Sequence, residues 1–389
     1  MSQQIDQSKK SFTAFDRATT LIAVIELSSR SWLVAGIVPG IERHPLKKLG
    51  ADETRLLTLL RQWQQLAVKA GREIKRIVVA FEAGRDGFWL ARWLAARGIE
   101  AYVIHATSVA VSREHRRAKT DRLDSEHLKR VALGWLRGEP DHCRMVAIPT
   151  VEEEDAKRPN REREALVREC TRIVNSMKAC LARFGVRGFK PTLRQAAAHL
   201  EGLVTPEGVP LPPLTLAQML RSIARLHFLR EQIRTIEQAR IARLKEAPAT
   251  RTNLMVTLIA GVTGIGIETA DTFVHEMLTR NFRDRKAVAR YAGLTGSPDE
   301  SGNRRREKGL ARAGNARVRR TMIQLAWRFL RFHPNSGLAT WFNARTVNGP
   351  RSMRKTMIVA LARKLLIVLW RAVTTGEVSP ALTPRHATA

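Results

Sequence analysis

Leu21-Ile22-Ala23-Val24-Ile25-Glu26 is an apolar, strand-like run closed by a carboxylate, and the chain around it repeats the pattern. Trp32 to Val38 reads as a second strand, reached through Ser28, Ser29 and Arg30, residues compatible with a hairpin. A helical stretch near Asp52 to Ala70 follows. Then comes Ile77-Val78-Val79-Ala80-Phe81, again closed by an acid, Glu82. Gly87 to Arg97 reads as a helix and Ala101 to His105 as a strand. Two adjacent strands followed by alternating helices and strands predict an α/β layer built on a mixed sheet.

Downstream, Arg117-Ala118-Lys119-Thr120-Asp121-Arg122-Leu123-Asp124 sets two carboxylates one helical turn apart in a densely basic stretch, so that Asp121 and Asp124 share a helix face. A ribonuclease-H-like fold has an acid on its first strand, another after its fourth and a last on a following helix; Glu26, Glu82 and Asp121/Asp124 match that plan. Taken singly, the two aspartates pair with Arg117, Lys119 or Arg122 on a solvated helix, and the two glutamates merely end strands. Taken together, four converging carboxylates are how proteins hold hard divalent cations at a phosphodiester. Close carboxylates raise one another's pKa, and a bound Mg²⁺ or Mn²⁺ reverses this and keeps them ionised.

Composition agrees with a polyanionic partner. The 389 residues are 44% hydrophobic, ample for two or three packed domains, yet 67 Lys and Arg face 36 Asp and Glu, a formal charge of +31. Nucleic acid is the first expectation and an anionic membrane the rival. The most apolar segment, Met357 to Trp370, is interrupted by Arg363 and Lys364 and reads as a buried or amphipathic helix rather than a span. Met1 to Thr20 is polar, without a signal core, which predicts a cytoplasmic protein, nucleoid-associated when acting. Cys143, Cys170 and Cys180 have no zinc-like spacing and read as plain thiols.

Beyond residue 145 the pattern becomes helical. Glu152 to Gly185 and Leu214 to Glu246 are charge-rich, with Met219, Ile223, Leu226 and Ile233 forming a narrow apolar seam like that of a helical hairpin or coiled coil. Between them, Pro206, Pro210, Pro212 and Pro213 mark a connecting loop. Leu258 to Ala270 reads as helix, glycine hairpin and helix, in which Gly264 and Gly266 expose backbone N–H groups suited to a phosphate, or simply make a tight turn. Gly293 to Asn303 reads as a polar loop, followed by Arg304, Arg305, Arg306, Lys308, Arg312, Arg317, Arg319 and Arg320, dense enough to contact several phosphates. Helices over roughly Val318 to Phe332 and Ser352 to Val373 close the chain.

In combination, Phe81-Glu82-Ala83-Gly84, the Ala118 to Asp124 run, Gly261-Val262-Thr263-Gly264-Ile265-Gly266, Ala292-Gly293-Leu294 leading to Ser301-Gly302, and Gly314-Asn315 with Arg319 resemble the insertion-sequence-110 family of DEDD transposases over nearly the whole chain. The resemblance implies a polar tail at 1–19 and a domain resembling the resolvase RuvC at 20–145. It also implies a helical, coiled-coil connector at 146–250, a helical transposase domain with a helix-hairpin-helix-like element at 251–375, and a tail at 376–389. It further implies that Glu26, Glu82, Asp121 and Asp124 bind Mg²⁺ and that Ser301 forms a covalent phosphoserine link to DNA. Donor and target DNA, a structured non-coding guide RNA and a homodimeric or homotetrameric assembly are implied with it. Glu26 stands where the family usually has Asp, one methylene longer. Two other readings are open: a metal-dependent endonuclease that activates water at the acids, with Ser301 only a turn residue, and a catalytically silent nucleic-acid-binding protein.

Overall fold

A computed structural model describes residues 15–84, 87–105, 108, 121–139, 143–301, 304–310, 313–376 and 382, with the side chains of 121–123, 297–301, 304–308 and 351 outside that description. The chain divides into two compact units, one ending at Val151 and the other beginning at Glu152.

The first unit is built on strands β1 (Thr20–Leu27), β2 (Ser31–Ile37), β3 (Leu46–Gly50), β4 (Arg76–Glu82), β5 (Glu100–Ile104) and β6 (Met145–Val146). Their spatial order is β3-β2-β1-β4-β5-β6; β1 runs antiparallel to β2 and parallel to β4, and β4 is parallel to β5. Apolar residues on both sides of β1 fit its central position, because the pleat sends alternate side chains to opposite faces and both faces are covered. Leu21, Ala23 and Ile25 face a core shared with α1 (Glu53–Lys69) and α2 (Trp89–Ala95). Ile22 and Val24 face α3 (Asp121–Leu136).

Helix α1 starts at Asp52, whose carboxylate accepts the Arg55 N–H at 2.9 Å, and buries Leu56, Leu59, Leu60, Trp63 and Ala67 along one stripe. Trp63 lies so close over β2 that a β-carbon at Gly36 would fall 2.5 Å from its ring. Strand β3, Leu46-Lys47-Lys48-Leu49-Gly50, escapes the sequence reading because it is a short lysine-bearing edge, a composition that discourages pairing with other chains.

The second unit is mostly helical. Helices α4 (Val151–Asp155), α5 (Arg158–Ala182), α6 (Ala196–Glu201) and α7 (Pro213–Glu246) come first, and α5 and α7 form an antiparallel pair. Ile173, Met177 and Leu181 of α5 meet Met219, Ile223, Leu226 and Leu229 of α7, an apolar seam at three- and four-residue spacing. Pro213 opens α7, where its missing N–H has no intrahelical partner to lose. A second core gathers α8 (Arg251–Ala260), α9 (Ile267–Phe273), α10 (Arg285–Tyr291), α11 (Ala316–Phe332), α12 (Gly337–Thr346) and α13 (Arg351–Thr375). In α13, Leu361, Ala362, Leu365, Leu366 and Leu369 are buried while Arg363 and Lys364 are exposed, as a core helix with one wet face requires. No helix among the described residues is long and apolar enough to cross a membrane.

The polar segment read as a loop is instead a two-stranded antiparallel hairpin, β7 (Gly296–Ser301) and β8 (Arg304–Leu310). Among the described residues β7 and β8 pair only with each other, and Pro298 coincides with an irregularity in their ladder.

Candidate active site

Parallel pairing of β1 and β4 places Ile25 beside Phe81, so the next residues, Glu26 and Glu82, are neighbours on adjacent strands and project from the same face. Both are half-buried at the carboxyl ends of those strands. The face they share is the one covered by α3. Leu136 packs with Ile22 and Val78, whereas Leu128, Val131 and Ala132 pack with Val24 and Ala80, one step further along the strands. The helix therefore runs antiparallel to β1 and β4. Asp124, half-buried, lies one turn nearer the start of that helix than Leu128.

Asp121 begins that helix, but its side chain, like that of Arg122, lies outside the described residues, as do Arg117 and Lys119 altogether. Among the described residues no group of three or more His, Cys, Asp and Glu is close enough to hold a metal ion. The cysteines are free thiols; Cys143 is buried, and burial pushes its thiol up to about 11.

The other sequence-predicted residues lie in the second unit. Ser301 ends β7 at the hairpin turn, in register with Arg304; Glu300 pairs with Arg305 and Asp299 with Arg306. These are backbone placements, since the side chains from 297 to 301 and 304 to 308 are outside the described residues, and so is Arg312. Arg317 and Arg320 both reach Glu164 on α5, at 2.7 and 2.5 Å. Arg319 reaches the Ala313 carbonyl at 3.4 Å. Gly264 has φ of +82°, and a β-carbon there would lie 2.7 Å from Phe332, so packing of the turn between α8 and α9 already requires glycine.

A second constellation is absent from the sequence reading. Asp271 on α9 is fully buried, yet its carboxylate accepts from Asn160 at 2.7 Å and Arg243 at 2.6 Å and lies 3.2 Å from Arg240 and 3.4 Å from His275. Burial pushes its pKa up, but His275, Arg240 and Arg243 outweigh that and hold it below the usual aspartate value. Five residues on, Glu276 is 2% exposed inside a π-helical turn, Val274–Leu278. Arg161 of α5 donates to both its oxygens at 2.9 and 3.3 Å, and Asn315 donates at 3.1 Å. Burial again pushes upward, and Arg161 and Asn315 again win, so Glu276 titrates below the ordinary glutamate range.

The sequence carried one signal for this network: Asp271, His275 and Glu276 are titratable residues set among Ala270, Phe273, Val274, Met277 and Leu278. Charges in such a place need partners. The partners, Asn160, Arg161, Arg240 and Arg243, are dispersed on the charge-rich helices α5 and α7.

Known proteins place the chain in a class and then in a family. A DEDD transposase model of the IS110 group matches residues 42–185, and the model described as Transposase IS116/IS110/IS902 family matches residues 256–340. A protein of Sinorhizobium fredii named "Putative transposase y4rJ" is 41% identical over 366 residues, covering 91% of this chain and 92% of that one. The "Transposase for insertion sequence element IS1328" of Yersinia enterocolitica is 26% identical over 309 residues, 77% and 85% of the two chains. The chain belongs to the IS110 family of transposases, enzymes that recombine DNA.

Proposed function

We propose that the first unit is a ribonuclease-H-like, RuvC-like catalytic domain and that the chain exchanges DNA strands through a phosphoserine intermediate at Ser301. The observation that carries this reading is the register of β1 and β4, which sets Glu26 and Glu82 side by side at the strand ends, on the face that α3, the helix carrying Asp121 and Asp124, covers. The donors suit a hard divalent cation, because all are carboxylate oxygens. Glu26, Glu82, Asp121 and Asp124 would hold Mg²⁺ or Mn²⁺, which when bound polarises the phosphodiester and stabilises charge on the attacking and leaving oxygens. Glu26 retains the charge of the family's usual aspartate but carries it one methylene further out.

In the reaction, the Ser301 hydroxyl oxygen bonds to phosphorus as the bond to a deoxyribose oxygen breaks. The serine proton passes to a carboxylate or water, and the leaving oxygen is protonated in turn. Attack by a second DNA hydroxyl on the phosphoserine reverses these steps and restores the serine, so no nucleotide triphosphate is consumed. The basic residues Arg304, Arg305, Arg306, Lys308 and Arg312, with the remaining donors of Arg317, Arg319 and Arg320, would neutralise phosphates. The charge of +31 supports two DNA duplexes and a structured guide RNA as partners of a dimer or tetramer.

The test is a reaction containing the protein, the RNA flanking its element, Mg²⁺ and labelled donor and target DNA. A denaturation-resistant protein–DNA adduct is expected in wild type and not in Ser301→Ala. Free nicked ends with no adduct, persisting in Ser301→Ala, would replace this reading with water-activating cleavage.

A further inference from the structure

Among the described residues β7 and β8 pair only with each other, and the six residues of β7 put Ser301 about 20 Å along the strand from its root. Whatever aims Ser301 must act at that root, and the root is built tightly. Gly293 and Gly314 have φ of +65° and +95°, and each is pressed against the opposite segment. A β-carbon on Gly293 would lie 2.1 Å from the Ala313 carbonyl oxygen, and one on Gly314 would lie 2.4 Å from that of Tyr291. The Asn315 N–H donates to the same Tyr291 carbonyl at 2.6 Å. These contacts join the end of α10 to the start of α11 and thereby fix both strands where they leave the body of the unit.

Glu276 ties this root to the connector. Its carboxylate accepts from Asn315, its backbone carbonyl accepts the Tyr291 hydroxyl at 2.8 Å, and its remaining capacity is taken by Arg161 of α5. One turn along α5, Glu164 receives Arg317 and Arg320 from the first turn of α11. Helix α5 thus grips the hairpin's base through two ion-paired contacts of opposite polarity, a cation toward Glu276 and an anion toward α11. Asn315 also caps α11, accepting from Arg317 N at 2.9 Å, so one side chain joins helix start, hairpin root and buried glutamate.

We propose that Glu276 is a positioning residue for the serine hairpin: with Asn315, Tyr291 and Arg161 it locks the root of β7–β8 to helix α5, so that the connector sets the direction in which Ser301 is presented. The inference rests on the serine reading above for its chemistry, but the mechanical link does not depend on it. A π-turn is the natural place for such a device, since it re-aims one side chain out of the helical repeat at a small cost.

The experiment uses the full-length protein with its RNA and DNA, in Glu276→Gln and, because a buried charge change can unfold a domain, also in Asn315→Ser, which keeps an oxygen to cap α11 while removing the amide donor. Three quantities are read: the single-turnover rate of adduct formation at saturating DNA, the DNA dissociation constant, and amide hydrogen exchange over residues 296–310. In both variants the expected results are an adduct rate lowered about 10- to 100-fold, as for a displaced reactive group, an unchanged dissociation constant, and faster exchange in β7 and β8 with α5 and α7 as protected as in wild type. Wild-type exchange in the hairpin of both folded variants would overturn the proposal, as would a rate loss explained entirely by weaker DNA binding. If Ser301→Ala still forms adduct, the serine reading fails separately, and faster hairpin exchange in Glu276→Gln would still establish the link to α5.

Discussion

The molecule handles its acids in two opposite ways. At the strand ends of the first unit, Glu26 and Glu82 sit together on top of an apolar core, at the rim of the sheet. In the second unit Asp271 and Glu276 lie inside the core, each surrounded by arginine and amide donors. A buried charge matched by guanidinium groups holds helices together, whereas the pair at the strand ends is the one proposed above to hold a cation. Acid content alone does not mark a site; the difference lies in where the fold places the acid.

That contrast breaks most visibly by mutation. Glu82→Gln is expected to lower strand exchange by roughly 100- to 1000-fold, as removal of a charge-stabilising group does, with the protein still folded. Asp271→Ala is expected to do the reverse in kind, costing about 3–5 kcal/mol of stability because Arg240 and Arg243 are left facing a void. Denaturant unfolding beside single-turnover rates reads both effects. A stable, inactive Asp271→Ala would erase the distinction.

Acid titration sharpens it with a smaller effect. Asp271 and Glu276 have folded pKa values below their ordinary values of 3.8 and 4.5, so their stabilisation is complete above that range and is lost as pH falls through the folded values. Thermal unfolding followed from about pH 5.5 down to about pH 3 should show the helical unit weakening below about pH 4.5, and Glu276→Gln should flatten that dependence. A transition in the helical unit that ignores pH over this window would contradict the ion-paired assignment.

The smallest expected effect concerns β8 of the hairpin. Arg305→Ala and Arg306→Ala should each reduce the slope of log affinity against log salt by about 0.9 on duplex DNA. An unchanged slope would remove β8 from the phosphate contacts.

How far the sequence could be read follows the same division. The runs ending at Glu26 and Glu82 were legible because a buried parallel strand leaves an unbroken apolar segment, and a terminal acid then stands out. Helix α1 was legible from its periodic Leu56, Leu60, Trp63 and Ala67. Strand β3 was not, since its edge position favours lysines over apolar residues, and β7–β8 was not, since its sequence is polar and glycine- and proline-punctuated, without an apolar alternation. The Glu276 network was hidden for another reason: Arg161 and Asn315 are ordinary surface residues in sequence, and only tertiary packing makes them partners of a buried charge.

The most direct test of the account is to digest the DNA of a purified wild-type adduct to a short remnant and locate it on the protein by mass spectrometry. The remnant is expected on Ser301, and adduct formation is expected to require both Mg²⁺ and Glu82. A remnant on any other residue, or an adduct that forms unchanged in Glu82→Gln, would contradict it.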